Sequence, residues 1–257
     1  MSDRIDTYEI TGDAHLVVEI HSGDIRLKEG DRGRVTVQIS GSSDALDNIV
    51  VDAASDTVTV RSTARRKRWF VGGSIDMVVT LPPGAHVALN LGSGDVQVGL
   101  ATTDLEVNIG SGDVRIDDVA RTTDIKVGSG DIRCGRLNGT TRISSASGDV
   151  RLDSATDLTV TTAAGDMHVG EVSESARLKS ATGNVRVGKF SGTDLEIKTM
   201  SGDAHVGIVP GMVVKTAIKT MSGDFRNRIK PSSGERIGTM NLAITSFTGD
   251  VVLTTAK

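Results

Sequence analysis

Carboxylate side chains recur in this sequence directly after glycine. The stretch GSGDVRID (110–117) is followed by close variants of itself: GSGDIRCG, ASGDVRLD, AAGDMHVG, ATGNVRVG, MSGDAHVG and MSGDFRNR. Gly-Asp repeats bind calcium when a nonapeptide period supplies two glycine-rich turns and an Asp in each. Here the period is about twice as long, and an Arg or His usually lies two residues after the Asp. We therefore expect no calcium site and interpret the motif as a device of the fold.

The histidines form no metal-binding or catalytic pattern. The HExxH and Cys/His spacings of zinc sites do not occur in the sequence. Neither does the GxSxG motif of hydrolases or the GxxxxGK(S/T) phosphate loop. We expect no metal, no cofactor and no enzymatic activity, and we interpret the histidines as solvated strand positions. The five histidines are His15, His21, His86, His168 and His205.

A basic and aromatic stretch, ARRKRWF (64–70), departs from the repeat. Four consecutive cations precede the single tryptophan and a phenylalanine. Two interpretations stay open: a hairpin tip whose rings pack onto the protein, or a contact loop for a protein partner, an anionic lipid surface or nucleic acid. The formal net charge of −4 differs from the positive charge that is typical of nucleic-acid-binding proteins, so we do not expect nucleic acid as a partner. The residues of this interaction loop are Arg65, Arg66, Lys67, Arg68, Trp69 and Phe70.

The motif must be positioned by short strands. From Gly94 to Gly183 the motif glycines are spaced by 18, 18, 18, 17 and 18 residues, and the later steps are 19, 21 and 26. Apolar and polar residues alternate on both sides of each glycine, which predicts strands with one buried face. One strand–bend–strand unit cannot bury its apolar face, whereas stacked units can. The sequence therefore predicts an all-β, single-stranded β-solenoid, or β-helix, with about 18 residues per coil.

The residues of the motif then have structural roles. Glycine allows the positive φ of a tight bend, and Ser and Asp can hydrogen-bond the exposed backbone there. Residues two apart on a strand share a face, so stacking predicts an Asp column beside an Arg column. The Arg column offsets a repulsion of about 1 kcal/mol between neighbouring carboxylates in water. We assign this turn and charge ladder to Gly94, Asp95, Gly112, Asp113, Arg115, Gly130, Asp131, Arg133, Gly148, Asp149 and Arg151.

We predict a single domain over 1–257, with irregular N-terminal strands and a cap at 1–91 and regular coils at 92–257. The N-terminal strands would shield the first coil, since an open edge invites aggregation. The last coil, near AITSFTGDVVLTTAK, shows no obvious cap. We therefore expect self-association through the ends of the solenoid, as a two-fold dimer or as head-to-tail stacks.

The segment IDMVVTLPPGAHVALNLGSGDVQVG (75–99), followed by tandem SGD units, resembles the bacterial "putative adhesin" β-strand-repeat family, also called Toastrack domains. The resemblance covers nearly the whole chain. It implies a right-handed, single-stranded β-solenoid without established catalytic residues. Similar domains are often attached to membrane segments and linked to envelope-stress systems of the phage-shock type.

The composition predicts a cytoplasmic protein. The single cysteine, Cys134, excludes an intramolecular disulfide, and the sequence contains no signal-like or membrane-spanning apolar run. We expect a non-enzymatic scaffold or protein-interaction module whose protein partner is unknown. The alternative is a peripheral membrane or envelope-stress component that docks on anionic lipid through the interaction loop.

Replacing Arg65, Arg66, Lys67 and Arg68 together by Ser tests the interaction loop. For a contact loop, the melting temperature stays nearly unchanged while binding to anionic vesicles or an acidic partner weakens. Each basic residue near an anionic membrane contributes about 1 kcal/mol. Vesicle flotation and thermal denaturation measure the two effects. Unfolding of the variant would instead identify the loop as a structural staple.

Overall fold

The computed structural model describes residues 2–63, 74–230 and 237–256. These residues form twenty β-strands and one four-residue helix, which confirms the all-β prediction. The chain divides into two compact units, Met1–Gly130 and Asp131–Lys257. One continuous domain over 1–257 stays a prediction. No helix within the described ranges has the length and hydropathy needed to cross a membrane.

The first unit stacks coils in parallel on the two sides of the glycine bend. Before the bend, the first half of β2 pairs with β7, β7 with β9, and β9 with the second half of β10. After the bend, the second half of β2 pairs with β8, and β8 with the first half of β10. The elements of this unit are β1 (Ser2–Glu9), β2 (His15–Glu29), β3 (Arg34–Gly41), α1 (Ser43–Leu46), β4 (Ile49–Ala54), β5 (Thr57–Ser62), β6 (Ile75–Leu81), β7 (His86–Ser93), β8 (Val96–Gly99), β9 (Thr102–Ser111) and β10 (Val114–Ser129).

Antiparallel strands cover the first coil of this unit. β6 and β5 continue the parallel stack on β2, and then β3 pairs antiparallel with β6 and β4 antiparallel with β5. β1 pairs antiparallel with β3. Side chains of β1 also reach the backbone of β4: Arg4 Nη1 donates to the Ile49 carbonyl at 3.1 Å, and the Tyr8 hydroxyl donates to the Val51 carbonyl at 3.5 Å. The two edge strands, β1 and β4, are therefore joined by these side-chain hydrogen bonds and together form this end of the unit.

The second unit has the same pattern in a stack of its own. Successive coils pair in parallel, with β11 on β12, β12 on β13, and β13 on both β14 and β15. Its strands are β11 (Ile132–Ser147), β12 (Val150–Ala164), β13 (Met167–Thr182), β14 (Val185–Phe190), β15 (Asp194–Ser201), β16 (Ala204–Ile208), β17 (Met212–Ser222), β18 (Phe225–Arg228), β19 (Gly238–Thr248) and β20 (Val251–Thr255).

The last layers of the second unit stack in an order that differs from the order of the chain. β15 pairs with β19, and β19 pairs with β17. On the other side of the bend, β14 pairs with β16, β16 with β20, and β20 with β18. The final segment of the chain is therefore inserted between two earlier layers. The prediction that AITSFTGDVVLTTAK forms the uncapped last coil is wrong, because neighbouring strands pair with both sides of this segment. β17 and β18 form the outermost described layer at this end, and we call them the terminal layer.

The core consists of columns of equivalent side chains. The residue five positions before each motif glycine faces the interior, and those in covered layers are 1% exposed or less. Because parallel pairing keeps the register, each lies directly on its equivalent in the next layer, which confirms the solenoid prediction. The column is Val18, Leu89, Val107 and Ile125 in the first unit, and Ile143, Val160, Leu178, Ile197 and Ile244 in the second.

An aspartate in place of Ile143 tests this register. The side chain lies in β11 against Val160 and is almost fully buried. Ile143→Asp should lower the free energy of unfolding by several kcal/mol, because it places an unpaired charge between close-packed layers. Ser144→Asp, at the exposed neighbouring position, is the matched control and should stay close to the parent. Equal melting temperatures for the two variants would contradict the register.

Candidate interaction surfaces

Glycine is required at the bend for two reasons. The motif glycines have positive φ, for example 142° at Gly112 and 128° at Gly165. Neighbouring layers also approach closely there: a Cβ on Gly112 would lie 2.0 Å from the Gly94 carbonyl oxygen, and one on Gly165 would lie 2.1 Å from the Gly148 carbonyl oxygen. No side chain can be accommodated at that distance, and positive φ is unfavourable for other residues. The bend therefore fixes both the turn and the contact between layers.

The motif aspartate bonds the next layer rather than its own bend. Its Oδ1 atom accepts a hydrogen bond from the backbone N–H of the equivalent residue in the adjacent coil. The glycine carbonyl oxygen lies against the glycine of that coil. The Asp side chain therefore provides the acceptor that this backbone N–H needs. Asn184 makes the same bond through its side-chain oxygen, so the ladder needs an acceptor and not a charge. The donor–acceptor pairs are Asp95–Asp24 and Asp113–Asp95 in the first unit, and Asp149–Asp131, Asp166–Asp149, Asn184–Asp166, Asp203–Asn184, Asp250–Asp203 and Asp224–Asp250 in the second, at 2.8–3.0 Å.

Arginines pair with the other carboxylate oxygen in part of the ladder. Arg133 Nη2 lies 2.8 Å from Asp131 Oδ2, and Arg151 Nη2 lies 2.8 Å from Asp149 Oδ2. In the first unit Arg115 forms no ion pair with any described residue. These pairs are partly exposed, so each contributes less than about 1 kcal/mol to stability. The described residues also contain no cluster of three or more His, Cys, Asp or Glu that could hold a metal ion.

A histidine–carboxylate cluster lies on the surface of the first unit. The rings of His15 and His86 stack at 4.6 Å with an interplanar angle of 9°. His86 Nδ1 lies 2.9 Å from Asp104 Oδ2, and Arg121 Nε donates to Asp104 at 3.1 Å. The hydrogen bond from Arg121 is the main cause that lowers the pKa of Asp104. The cluster lines a groove of about 520 Å³. Sequence reasoning missed it because β2 and β7 are adjacent in the stack but distant along the chain.

A second groove, of about 770 Å³, crosses four neighbouring strands of the second unit, β13, β15, β19 and β17. Apolar side chains line one side of it, and they are well exposed: Met200 66%, Phe247 55% and Met221 72%. We call these three residues the apolar stripe. They follow one another in the stack in that order, because β19 lies between β15 and β17.

Lysines line the other side of this groove at one equivalent position of β13, β15 and β17, two residues before Ala181, Met200 and Met221. We call Lys179, Lys198 and Lys219 the lysine column. Lys198 contacts Glu196, and this bond, followed by the 2.6 Å bond from Arg177, lowers the pKa of Glu196 to about 2. Within the described ranges Lys179 and Lys219 have no carboxylate within ion-pair distance. The stripe and the lysine column share the outer face, because the residues between them are buried: Ser180, Thr199 and Ser246.

The terminal layer is incompletely covered. Phe225 pairs with the fully buried Val251, yet it is itself 45% exposed. Ile218, which continues the interior column, is half-buried. Within the described residues no strand pairs with the outer edge of this layer. The segment 212–230 also contains five cations and one carboxylate, although the chain as a whole has a net charge of −4: Lys215, Lys219, Arg226, Arg228 and Lys230 against Asp224.

The interaction loop lies outside the described residues. Both interpretations of Arg65, Arg66, Lys67, Arg68, Trp69 and Phe70 therefore remain predictions. Neither the stripe nor the terminal layer was predicted from the sequence. For the stripe, the available signal was a large apolar residue two positions before the motif glycine in the last three coils. For the terminal layer it was the long step of 26 residues between Gly223 and Gly249, which accompanies the exchange of layer order.

Comparison with known proteins identifies the family of this chain. The family model Toastrack DUF4097 matches residues 14–257, and the chain belongs to this family. No curated protein matches the sequence significantly. A crystal structure of a "putative adhesin" from Bacteroides fragilis is 17% identical, with a TM-score of 0.41, and the match covers 98% of this chain and 97% of that one. A "putative lipid binding protein" from Parabacteroides distasonis is 11% identical, with a TM-score of 0.41 and 96% of each chain covered. A "putative adhesin" from the same organism is 10% identical, with a TM-score of 0.43 and 97% of each chain covered.

Substitution of Asp166 separates the acceptor from the charge in the ladder. Asp166 accepts the Asn184 N–H at 2.8 Å and forms no ion pair with a described residue. Asp166→Ala should lower the free energy of unfolding by about 1 kcal/mol, because that N–H loses its acceptor. Asp166→Asn keeps an acceptor, as Asn184 does, and should unfold like the parent in urea. A loss of the same size in both variants would show that the charge itself is required.

Proposed function

We propose that this Toastrack protein is a non-enzymatic scaffold that binds protein partners at its terminal layer. The observation that carries this proposal is the outer side of β17 and β18, with which no strand of the described residues pairs. An extended segment of another protein can add to such an edge through main-chain hydrogen bonds, and side chains then determine specificity. The added strand would also cover Phe225 and Ile218, which lack the neighbouring layer that buries their equivalents.

The chemistry of the described residues supports a non-enzymatic role. Neither His15 nor His86 has a hydroxyl or thiol hydrogen-bond partner among the described residues, so no histidine of the cluster activates a nucleophile there. The lowered pKa of Asp104 keeps this carboxylate ionised at neutral pH, where it cannot donate a proton. Burial raises the pKa of the Cys134 thiol, and a buried, protonated thiol is a poor nucleophile.

The charge of the terminal layer favours an acidic partner. Lysines on an edge strand oppose pairing with a second copy of the same strand, because like charges would then face each other. An extended segment that alternates acidic and apolar residues would place carboxylates near Lys215 and Lys219 and apolar groups near Phe225. Self-association through the ends remains a prediction. If two terminal layers meet, added salt should strengthen their association by screening the repulsion.

Peptide binding to the full chain tests strand addition. A short peptide that alternates Glu with Val or Thr should protect amides of β17 and β18 from hydrogen exchange, and its affinity should fall as salt is added. The same peptide with Lys in place of Glu should give no protection. Phe225→Asp should weaken binding about tenfold or more, because it removes the apolar contact and repels the acidic peptide.

Ile5→Asp is the matched control for this variant. Ile5 is an exposed apolar residue, 63% exposed, on the edge strand β1 of the first unit. It undergoes the same change of charge and should leave peptide binding unchanged. Equal losses in the two variants, or protection confined to other strands, would contradict strand addition at the terminal layer. Sedimentation of the free chain at low and high salt measures self-association separately.

A further inference from the structure

We infer that the apolar stripe and the lysine column together form a docking surface for an anionic lipid bilayer. Three large apolar side chains project from neighbouring strands and remain largely exposed. Strands in a sheet are about 4.8 Å apart, so the three side chains form a continuous row. A contiguous exposed apolar patch with a polar rim marks an interaction site, whereas single exposed apolar residues do not.

The charges beside the stripe fit an anionic surface. Five cations and two carboxylates lie on this face of the four strands: Arg177, Lys179, Lys198, Lys215 and Lys219 with Asp194 and Glu196. Asn241 donates a hydrogen bond to Asp194 at 2.9 Å. Glu196 is already bonded by Arg177 and Lys198, so it offers little repulsion to an approaching phosphate. Lys179 and Lys219 have no carboxylate partner in the described part of the chain. This local excess of positive charge contrasts with the net charge of −4 of the whole chain.

The geometry favours a membrane over a peptide strand. The backbones of β15 and β19, beneath Met200 and Phe247, are paired on both sides, so no strand can add there. The stripe lies on an open outer face, with the cations two residues away on the same face. At a bilayer, Met and Phe side chains can enter the acyl region while long lysine side chains keep their ammonium groups at the phosphates.

This surface shares Lys219 and Met221 with the terminal layer, but its other residues lie outside that layer, and it differs from the interaction loop at 65–70. The edge acts through the outer backbone of the terminal layer and through Phe225. The docking surface acts through outward side chains, and two stripe residues and two lysines lie outside the terminal layer. Variants confined to Lys179, Lys198, Met200 and Phe247 therefore test lipid docking without changing β17 or β18.

Flotation with vesicles of phosphatidylglycerol and phosphatidylcholine tests the inference on the full chain. The parent should float with these vesicles, should not float with pure phosphatidylcholine, and should be released by salt. Lys179→Gln with Lys198→Gln should lower the partition coefficient about tenfold or more. Met200→Ser with Phe247→Ser should lower it by a similar factor. The control pair Ile5→Ser with Lys126→Gln, in the first unit, should leave it unchanged.

A spectroscopic measurement keeps the test independent of these substitutions. Phe247→Trp in a Trp69→Phe background gives the chain one indole, located in the stripe. Brominated phosphatidylglycerol should quench its fluorescence, and an acidic peptide should not. Absence of flotation, absence of quenching, or flotation that is lost only when Arg65, Arg66, Lys67 and Arg68 are replaced would each overturn the inference. None of these results bears on peptide binding at the terminal layer.

Discussion

Eight of the motif glycines lie against the carbonyl oxygen of the glycine in a neighbouring layer, at a distance that leaves no space for a side chain. This contact sets the spacing and the register of the layers at the bend. Every other residue then lies on its equivalent in the next coil, in the interior and on the surface alike. The Asp ladder follows from the same contact, because the glycine carbonyl is turned away from the N–H that the Asp side chain accepts.

Fixed register turns single residues into columns, and columns determine what the surface can bind. A lysine repeated at one position becomes a line of positive charge, and a methionine or phenylalanine repeated at another becomes an apolar row. In the earlier layers of the second unit the same column carries only small side chains: the positions equivalent to Met200 there are Ala146, Ala163 and Ala181. The surface character of the second unit therefore changes along its stack although the backbone pattern does not.

The sequence was sufficient for the parts of the structure that each repeat encodes locally. The aliphatic position five residues before glycine and the alternation around the bend predicted the buried column and the solenoid. The order of the last layers was not predictable, because equivalent residues of two coils pair in the same register whether or not the coils are consecutive in the chain. Met200, Met221 and Phe247 would lie in consecutive layers in either order, and the exchange places Phe247 between the two methionines. His15 and His86 likewise meet because β7 stacks on β2 after a long excursion of the chain.

The two units end their stacks in opposite ways. The first unit covers its coil with antiparallel strands, and side chains of β1 bond the carbonyls of β4. In the second unit the inserted segment β19–β20 is covered on both sides, while β17 and β18 remain without a further layer in the described residues. A partly exposed aromatic ring and an unpaired edge reduce stability in the free protein. The cations of the terminal layer oppose its pairing with the terminal layer of a second copy of the chain. An acidic strand would supply both the missing hydrogen bonds and the missing apolar cover, so the interactions that build the solenoid would also bind its partner.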